Sequence, residues 1–159
     1  THAMPIIRAS HPETTFAIVG RNPTQGVSDL SKLPGVQVTG EVDDVRTWLA
    51  AADVVVAPLR IARGIQNKIL EAMAMARPVV ASPAAAEGIN AEHGIHFYVE
   101  PNVAAEATRV CALLDDPQMA YKTGAAARAH VRRYYGWESQ LAPLDALMGF
   151  SPERAEAAE

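Results

Sequence analysis

Three basic side chains lie close together in one short segment of a chain that is acidic as a whole. Arg60, Arg63 and Lys68 fall in this segment, whereas the 159 residues carry 18 Asp and Glu against 14 Lys and Arg, a net charge of −4. Guanidinium and ammonium groups bind phosphate oxygens through charge-assisted hydrogen bonds, so a few of them suffice for a phosphate group. The segment therefore predicts a local anion site, while the acidic balance argues against a broad nucleic-acid surface.

A helix predicted to begin inside this segment would strengthen the anion site. Gly64 follows a continuous apolar strand predicted at Val54–Ala57, and a helix opens within residues 64–67 and runs to Ala76, where Pro78 stops it. A helix N-terminus offers free N–H groups and the positive end of a dipole to an anion. The elements of the segment thus place its cations where an anion can bind.

Lys68 and Glu71 are one helical turn apart, so they project from nearly the same face of this helix. The cation could grip a diphosphate and the carboxylate a ribose diol. The ordinary alternative is that Arg60 and Arg63 are solvated loop charges, and that Lys68 and Glu71 form a surface ion pair. Spacing alone leaves both interpretations open.

No metal site is expected. The acidic pairs Asp43–Asp44 and Asp115–Asp116 are typical of helix ends and loops. His93 and His96 flank Gly94 without a third ligand nearby, which favours exposed loop histidines.

Other conspicuous residues are expected to be structural. The single Cys111 lies in an apolar helical run and fits a reducing compartment. Glu87–Gly88 follows a strand end and could line the cleft, although a plain loop is expected. Core or packing positions are expected for Cys111, Met73, Met75, Trp48 and Trp137.

Short apolar strands alternate with helices along the chain. Besides Val54–Ala57, strands are predicted at Phe16–Val19, Val36–Thr39, Val79–Ala81 and Phe97–Glu100. Besides the helix that begins in 64–67, helices are predicted at Met4–Ala9, from Asp43 or Asp44 to Ala52, and at 103–115, 117–134 and 138–147, with a polar loop at 21–34 that has room for a short helix. This alternation predicts an α/β fold, a Rossmann-like parallel sheet with helices on both faces, in a domain of residues 1–150 followed by a polar tail at 151–159. Such sheets bind ligands beyond the carboxyl ends of their strands.

The runs Trp48–Pro58 and Leu70–Ser82 resemble the donor-site signature of the GT4 glycosyltransferases, which have the GT-B fold. The hallmark at 58–68 is most similar to the sugar transferases of bacterial exosortase and exopolysaccharide systems. The resemblance covers most of residues 14–148 and implies one half of a GT-B fold, truncated at its N-terminus. It implies the donor-binding half of a retaining hexosyltransferase that uses a nucleoside-diphosphate sugar and needs no metal or other cofactor.

The same resemblance assigns roles to residues. Glu71 matches the family's second Glu, which binds the donor ribose, whereas Arg63 stands where the first Glu faces the donor sugar. The backbone N–H groups of the turn would hold the diphosphate, and a weaker match puts a loop against the base. The donor site it implies comprises Arg60, Arg63, Gly64, Ile65, Gln66, Asn67, Lys68, Glu71, Gly40 and Val42.

In the resembling enzymes the acceptor binds to an N-terminal domain that this chain does not show. No catalytic residue is therefore assigned, and the isolated chain is expected to bind the donor weakly and to transfer nothing. A glycan or lipid-linked acceptor, a cytoplasmic site and peripheral membrane association of the full-length enzyme are expected, with no nucleic-acid partner. Two alternatives stay open: a non-catalytic, flavodoxin-like nucleotide-binding module and a sugar epimerase of GT-B fold.

Overall fold

The computed structural model describes residues 2–137 and residue 141. The predicted helix at 138–147 lies outside the described residues except for Leu141, and the tail at 151–159 lies wholly outside them. The helices are α1 (Ala3–Ser10), α2 (Gln25–Ser28), α3 (Val45–Ala51), α4 (Asn67–Ala74), α5 (Pro83–Ala86), α6 (Val103–Asp115) and α7 (Pro117–Tyr134). The strands are β1 (Phe16–Val19), β2 (Val36–Gly40), β3 (Val55–Ala57), β4 (Val79–Ala81) and β5 (Tyr98–Val99), and a 3-10 turn spans Asp29–Lys32.

All strand pairs among the described residues are parallel, as predicted. They form two sheets, β1-β2 and β3-β4-β5, instead of the single sheet that we expected. The difference arises because no hydrogen bonds join β1 to β3, so each of these strands has an unpaired edge within the described chain. In each sheet the carboxyl ends of the parallel strands lie at the same end, and in the three-stranded sheet this end carries the loop after β3.

Helices cover both faces of the three-stranded sheet, which confirms the predicted α/β layering. On one face Val79 and Ala81 pack against Ile69 and Met73 of α4 and Val131 of α7. On the other face, Val80 and Tyr98 pack with Ile7 of α1 and with Val110 and Leu113 of α6. β3 is only partly buried because it is an edge strand, although Val55 packs on the first face and Val56 on the second.

Helix α4 ends at Ala74, two residues earlier than predicted. Ala76 takes a left-handed conformation with φ of 55°, its N–H donates to Met73 O (2.9 Å), and Arg77 N–H donates to Ala72 O (3.0 Å). This is the hydrogen-bond pattern of a Schellman motif, usually built on glycine. The alanine-rich sequence hid the helix end because alanine is the best helix former.

Helix α7 packs tightly on this C-terminal end of α4. A Cβ atom on Gly124 would lie 2.1 Å from Ala76 O, so only a glycine fits at this crossing. Gly124 is buried in the middle of an 18-residue helix, where glycine is otherwise unfavourable. The close approach of the two backbones therefore explains the residue.

Candidate functional site

The loops that follow β3 and β4 are tied together where the strands end. Ser82 Oγ donates to Leu59 O (2.6 Å), and Ser82 N donates to Ala57 O (3.1 Å). The same hydroxyl oxygen accepts from Ala85 N (3.2 Å) and so caps α5. Ser82 thus fixes the start of the segment that runs from Pro58 into α4, at the edge of the sheet where a ligand is expected.

The turn before α4 is shaped by Gly64 and Gln66. Gly64 has φ of 65°, a conformation that favours glycine. Gln66 occupies the N-cap position, but its side chain turns back and donates to Arg63 O (3.2 Å) and Gly64 O (3.1 Å) instead of capping the helix. The turn is therefore held from within, and its N–H groups are left for another partner.

The backbone N–H groups of residues 64–68 make no hydrogen bond to any described part of the chain. The next two backbone N–H groups, those of Ile69 (2.9 Å) and Leu70 (3.5 Å), donate to the carbonyl oxygen of Gln66. By contrast, α3, α5, α6 and α7 each begin with a side chain that accepts a backbone N–H. The start of α4 is thus a run of free donors at the positive end of a helix dipole.

The charged side chains of the segment lie close to these donors in the sequence and are exposed to solvent. Within the described part of the chain, no ion pair or hydrogen bond engages the side chains of Arg60, Arg63, Lys68 or Glu71. The alternative of a surface ion pair between Lys68 and Glu71 is therefore wrong for this structure. The cations remain available to an anion, and Glu71 follows one turn further along the helix.

Gly40 and Val42 lie at the carboxyl end of β2, in the other sheet. Gly40 has φ of 73°, and its carbonyl accepts from Gly20 N (3.2 Å). No hydrogen bond among the described residues joins either residue to the turn before α4. Eight of the ten predicted donor-site residues thus lie on one continuous segment, whereas Gly40 and Val42 follow a strand of the other sheet.

Glu87–Gly88 lies in a loop after α5, and Gly88 packs beside the turn, in agreement with the alternative that this pair lies near the expected ligand cleft. Gly88 has φ of 81°, and a Cβ atom placed on it would lie 3.8 Å from Ile65 Cγ1 and 3.9 Å from Gly64 C. The loop after α5 therefore packs directly against the run of free N–H groups. The Glu-Gly pair after the alanine run is a visible turn signal in the sequence. It does not show that Gly88 contacts Gly64, which lies 24 residues earlier.

The loop that contains Gly88 is fastened to α7 at Asn90. Tyr135 Oη accepts the hydrogen bond from Asn90 N (2.8 Å), and His130 Nε2 contacts Asn90 O. Both backbone polar groups of one loop residue are thus held by side chains from the C-terminal end of α7.

His93 and His96 hold the next part of this loop through their Nδ1 atoms. Nδ1 of His96 accepts from Glu92 N (3.0 Å), and Nδ1 of His93 accepts from Val99 N (2.9 Å). Burial lowers the pKa of His96, with a further lowering from the nearby His130, whose ring centroid lies 4.2 Å away, and a smaller opposing effect of Glu92. Among the described residues no group of three metal-ligating side chains comes together.

Two further predictions concern side chains away from the turn. Trp137, expected to pack, is 81% exposed, and that prediction is wrong. Met73 is fully buried as predicted, whereas Met75 is only partly buried because it stands at the C-cap of α4. Cys111 is partly buried against the core, with Sγ 3.5 Å from Ser10 Oγ.

Two cavities of about 460 and 530 Å³ lie elsewhere in the fold, one beside Gly94 and the start of α7, the other beside Arg77 and the end of α6. Neither is lined by a residue of the segment 58–71. No helix among the described residues is long and apolar enough to cross a bilayer.

A known family accounts for this arrangement. The family described as "Glycosyl transferases group 1" matches residues 1–116, which is most of the chain. The chain belongs to the group 1 glycosyltransferases. This confirms the glycosyltransferase family and the GT-B type of domain that the sequence predicts.

Curated relatives of this glycosyltransferase domain are mannosyltransferases. The chain is 33% identical over 152 residues to the GDP-mannose-dependent monoacylated alpha-(1-6)-phosphatidylinositol monomannoside mannosyltransferase of Corynebacterium glutamicum, covering 86% of the chain and 39% of the relative. It is 32% identical over 84 residues to the phosphatidyl-myo-inositol mannosyltransferase of Propionibacterium freudenreichii, covering 52% of the chain and 20% of the relative. The chain thus spans well under half the length of either relative.

Solved structures share the fold of this glycosyltransferase domain at low sequence identity. The C-terminal domain of the group 1 family protein LpcC from Francisella tularensis superposes with a TM-score of 0.74 at 20% identity, over 85% of this chain and 76% of that domain. Sucrose-phosphate synthase from Thermosynechococcus elongatus gives 0.77 at 21% identity, over 99% of this chain and 42% of that enzyme. HepE of Anabaena, solved in complex with UDP, gives a TM-score of 0.71 at 22% identity, over 82% of this chain and 39% of HepE.

Proposed function

We propose that this domain binds the nucleoside-diphosphate part of a sugar donor at the start of α4. The observation that carries the proposal is the run of free N–H groups at residues 64–68, on a segment whose cations Arg60, Arg63 and Lys68 are unpaired. Free backbone donors at a helix N-terminus, joined by basic side chains, are a typical phosphate site. The site lies at the carboxyl edge of the β3-β4-β5 sheet, where Rossmann-like domains bind ligands.

Each group has a role in this proposal. The N–H groups of Gly64, Ile65, Gln66 and Asn67 donate hydrogen bonds to the diphosphate oxygens, and Lys68 adds a positive charge beside them. Glu71, one turn deeper, receives the ribose hydroxyls. The loop at 40–42 flanks the base; that assignment rests on the resemblance alone, with Gly40 and Val42 as its residues.

The same groups serve the transfer step. When the sugar leaves, negative charge grows on the departing diphosphate, and donors fixed in advance stabilise that charge most in the transition state. Cations and helix N–H groups can do this without a divalent ion. Arg63, which stands where the resembling enzymes place a carboxylate, would neutralise donor phosphate or meet a charged donor sugar.

We infer that the full-length protein is a retaining hexosyltransferase of the GT4 type. Residues 1–150 would form its donor-binding domain, and a second domain would bind a glycan or lipid-linked acceptor. We further propose that this enzyme takes part in exopolysaccharide assembly, in the cytoplasm at the inner face of the membrane. The similarity of the hallmark at 58–68 to the sugar transferases of such systems supports this role. The mannosyltransferase relatives favour GDP-mannose as the donor, whereas HepE was solved with UDP.

The proposal is tested by titrating the chain with GDP, UDP and ADP and following the heat of binding. Saturable binding of one nucleotide should be lost in Lys68→Ala and in Glu71→Ala. Matched controls are Lys32→Ala and Glu13→Ala, which remove exposed charges of the same signs from other elements. The controls should bind as the unaltered chain does.

Two results would count against this assignment. Binding that survives both α4 substitutions would move the site elsewhere. Absence of binding by the full-length protein, for all three nucleotides, would reject the donor-binding function itself.

A further inference from the structure

Helix α7 carries a charge of one sign only. Four of the fourteen basic residues of the chain lie between Pro117 and Tyr134, namely Lys122, Arg128, Arg132 and Arg133, and none of the eighteen acidic residues does. In an acidic chain, this separation of charge makes one helix an electropositive element. Such an element attracts anionic partners even when the whole molecule does not.

All four cations lie on the solvent side of α7. Each is exposed, while Thr123, Gly124, Ala127 and Val131 form the buried side. Arg128 and Arg132 are one turn apart and therefore share a face. None of the four has an ion pair with the described chain, so their charge is not neutralised within it.

Exposed aromatic rings accompany these cations along the helix. Tyr121 is 76% exposed near its beginning, and Trp137 is 81% exposed just beyond its end. At that end the guanidinium of Arg133 lies 5.3 Å from the centroid of the Tyr134 ring. Large exposed aromatic side chains are unusual for a purely solvated helix, whereas Trp and Tyr beside Lys and Arg are typical of elements that lie on a membrane surface.

We propose that the outer face of α7, formed by Lys122, Arg128, Arg132 and Arg133 with Tyr121, docks on a bilayer that contains anionic phospholipids, together with the exposed Trp137 just beyond the end of the helix. The cations would contact the lipid headgroups, and the two rings would enter the interfacial layer. No helix among the described residues could span the bilayer, so this contact is peripheral. This proposal names the surface through which the expected membrane association would occur, and it does not depend on nucleotide binding.

The direction of α7 relates this surface to the turn before α4. Gly124, in the first half of α7, abuts Ala76 beyond the C-terminal end of α4. Tyr135, at the other end, holds Asn90, two residues from the Gly88 that packs on Gly64. The helices therefore run antiparallel, and Arg132, Arg133 and Trp137 lie toward the end of α7 that faces the turn.

Vesicle co-sedimentation tests the proposal directly. The chain should sediment with vesicles of phosphatidylcholine and phosphatidylglycerol at low salt, and not with phosphatidylcholine alone. High salt should weaken the binding because the attraction is screened within about 8–10 Å. The triple variant Arg128→Gln, Arg132→Gln and Arg133→Gln should bind about 100-fold more weakly, since each cation near an anionic surface contributes about fivefold.

A second triple variant separates this surface from the overall charge. Arg21→Gln, Lys32→Gln and Arg46→Gln removes three exposed cations from other elements and gives the same net charge. It should keep most of the vesicle binding, and circular dichroism should show both variants folded. Equal loss in the two variants, no sedimentation of the unaltered chain with anionic vesicles, or binding to nucleic acid in place of vesicles would each overturn the proposal.

Discussion

Replacing Gly124 by alanine tests the packing that positions α4. In an ordinary helix interior this change adds about 1 kcal/mol of stability because alanine is the better helix former. Here the new Cβ atom would lie 2.1 Å from Ala76 O and 2.8 Å from Ala76 C. Ordinary contacts need about 1 Å more, and both partners are backbone, so α7 must move away from α4. Overpacking of this kind costs about 1–3 kcal/mol or more, and we expect Gly124→Ala to lose about 2 kcal/mol net.

Urea unfolding followed by circular dichroism measures this loss. With a slope of about 2 kcal/mol per molar urea, the midpoint should fall by about 1 M. Gly26→Ala is the matched control, because Gly26 lies in helix α2 and a Cβ atom on it meets nothing within 4 Å. The control should unfold at the same urea concentration as the unaltered chain or a higher one. A Gly124→Ala protein as stable as the control would refute the close contact and the reasoning built on it.

Three further changes test single interactions. Tyr135→Phe removes the oxygen that accepts Asn90 N–H and should cost about 0.5–1.5 kcal/mol in urea unfolding. Ala76→Gly should raise the unfolding free energy by about 1 kcal/mol because the residue has a φ of 55°, and an unchanged midpoint would contradict that strain. The folded state lowers the pKa of His96 from 6.5, so its contribution to stability is present above that value and is lost as the pH falls through the lower, folded one. Urea midpoints measured at neutral and at acid pH should therefore differ less in His96→Gln than in the unaltered chain. An equal difference in the two proteins would reject this role of His96.

Periodicity and breakers predicted the elements well because each strand here is a short apolar run between turn residues. The strand at Val79–Ala81 was predicted to the residue, and α6 and α7 match their predicted bounds. Pro117 at the start of α7 and the Asp44 cap of α3 are local signals that need no tertiary information. The segment proposed to bind an anion could be singled out for the same reason, since its glycine, its cations and its helix start are contiguous.

Features that depend on distant contacts could not be predicted in this way. The αL conformation of Ala76 ends α4 inside a run of strong helix formers. Only the packing of Ala76 on Gly124 shows at which residue the helix ends. The place of Gly88 beside Ile65 needs the three-dimensional path of two loops. The division into two sheets is of the same kind, because an apolar strand pattern shows that a strand exists and not which edge is paired.

Helix α7 connects these distant features, and through them it would influence the site proposed at the start of α4. Gly124 sets its distance from α4 at one end, and its other end holds Asn90 through Tyr135 and His130. Gly88, two residues before Asn90, packs against the turn whose N–H groups are free. A phosphate site made of backbone donors depends on how accurately the backbone is held, because donors displaced by about 1 Å lose most of their advantage. The motif supplies the donors, and α7, through side chains that no motif includes, fixes the loop that keeps them in place.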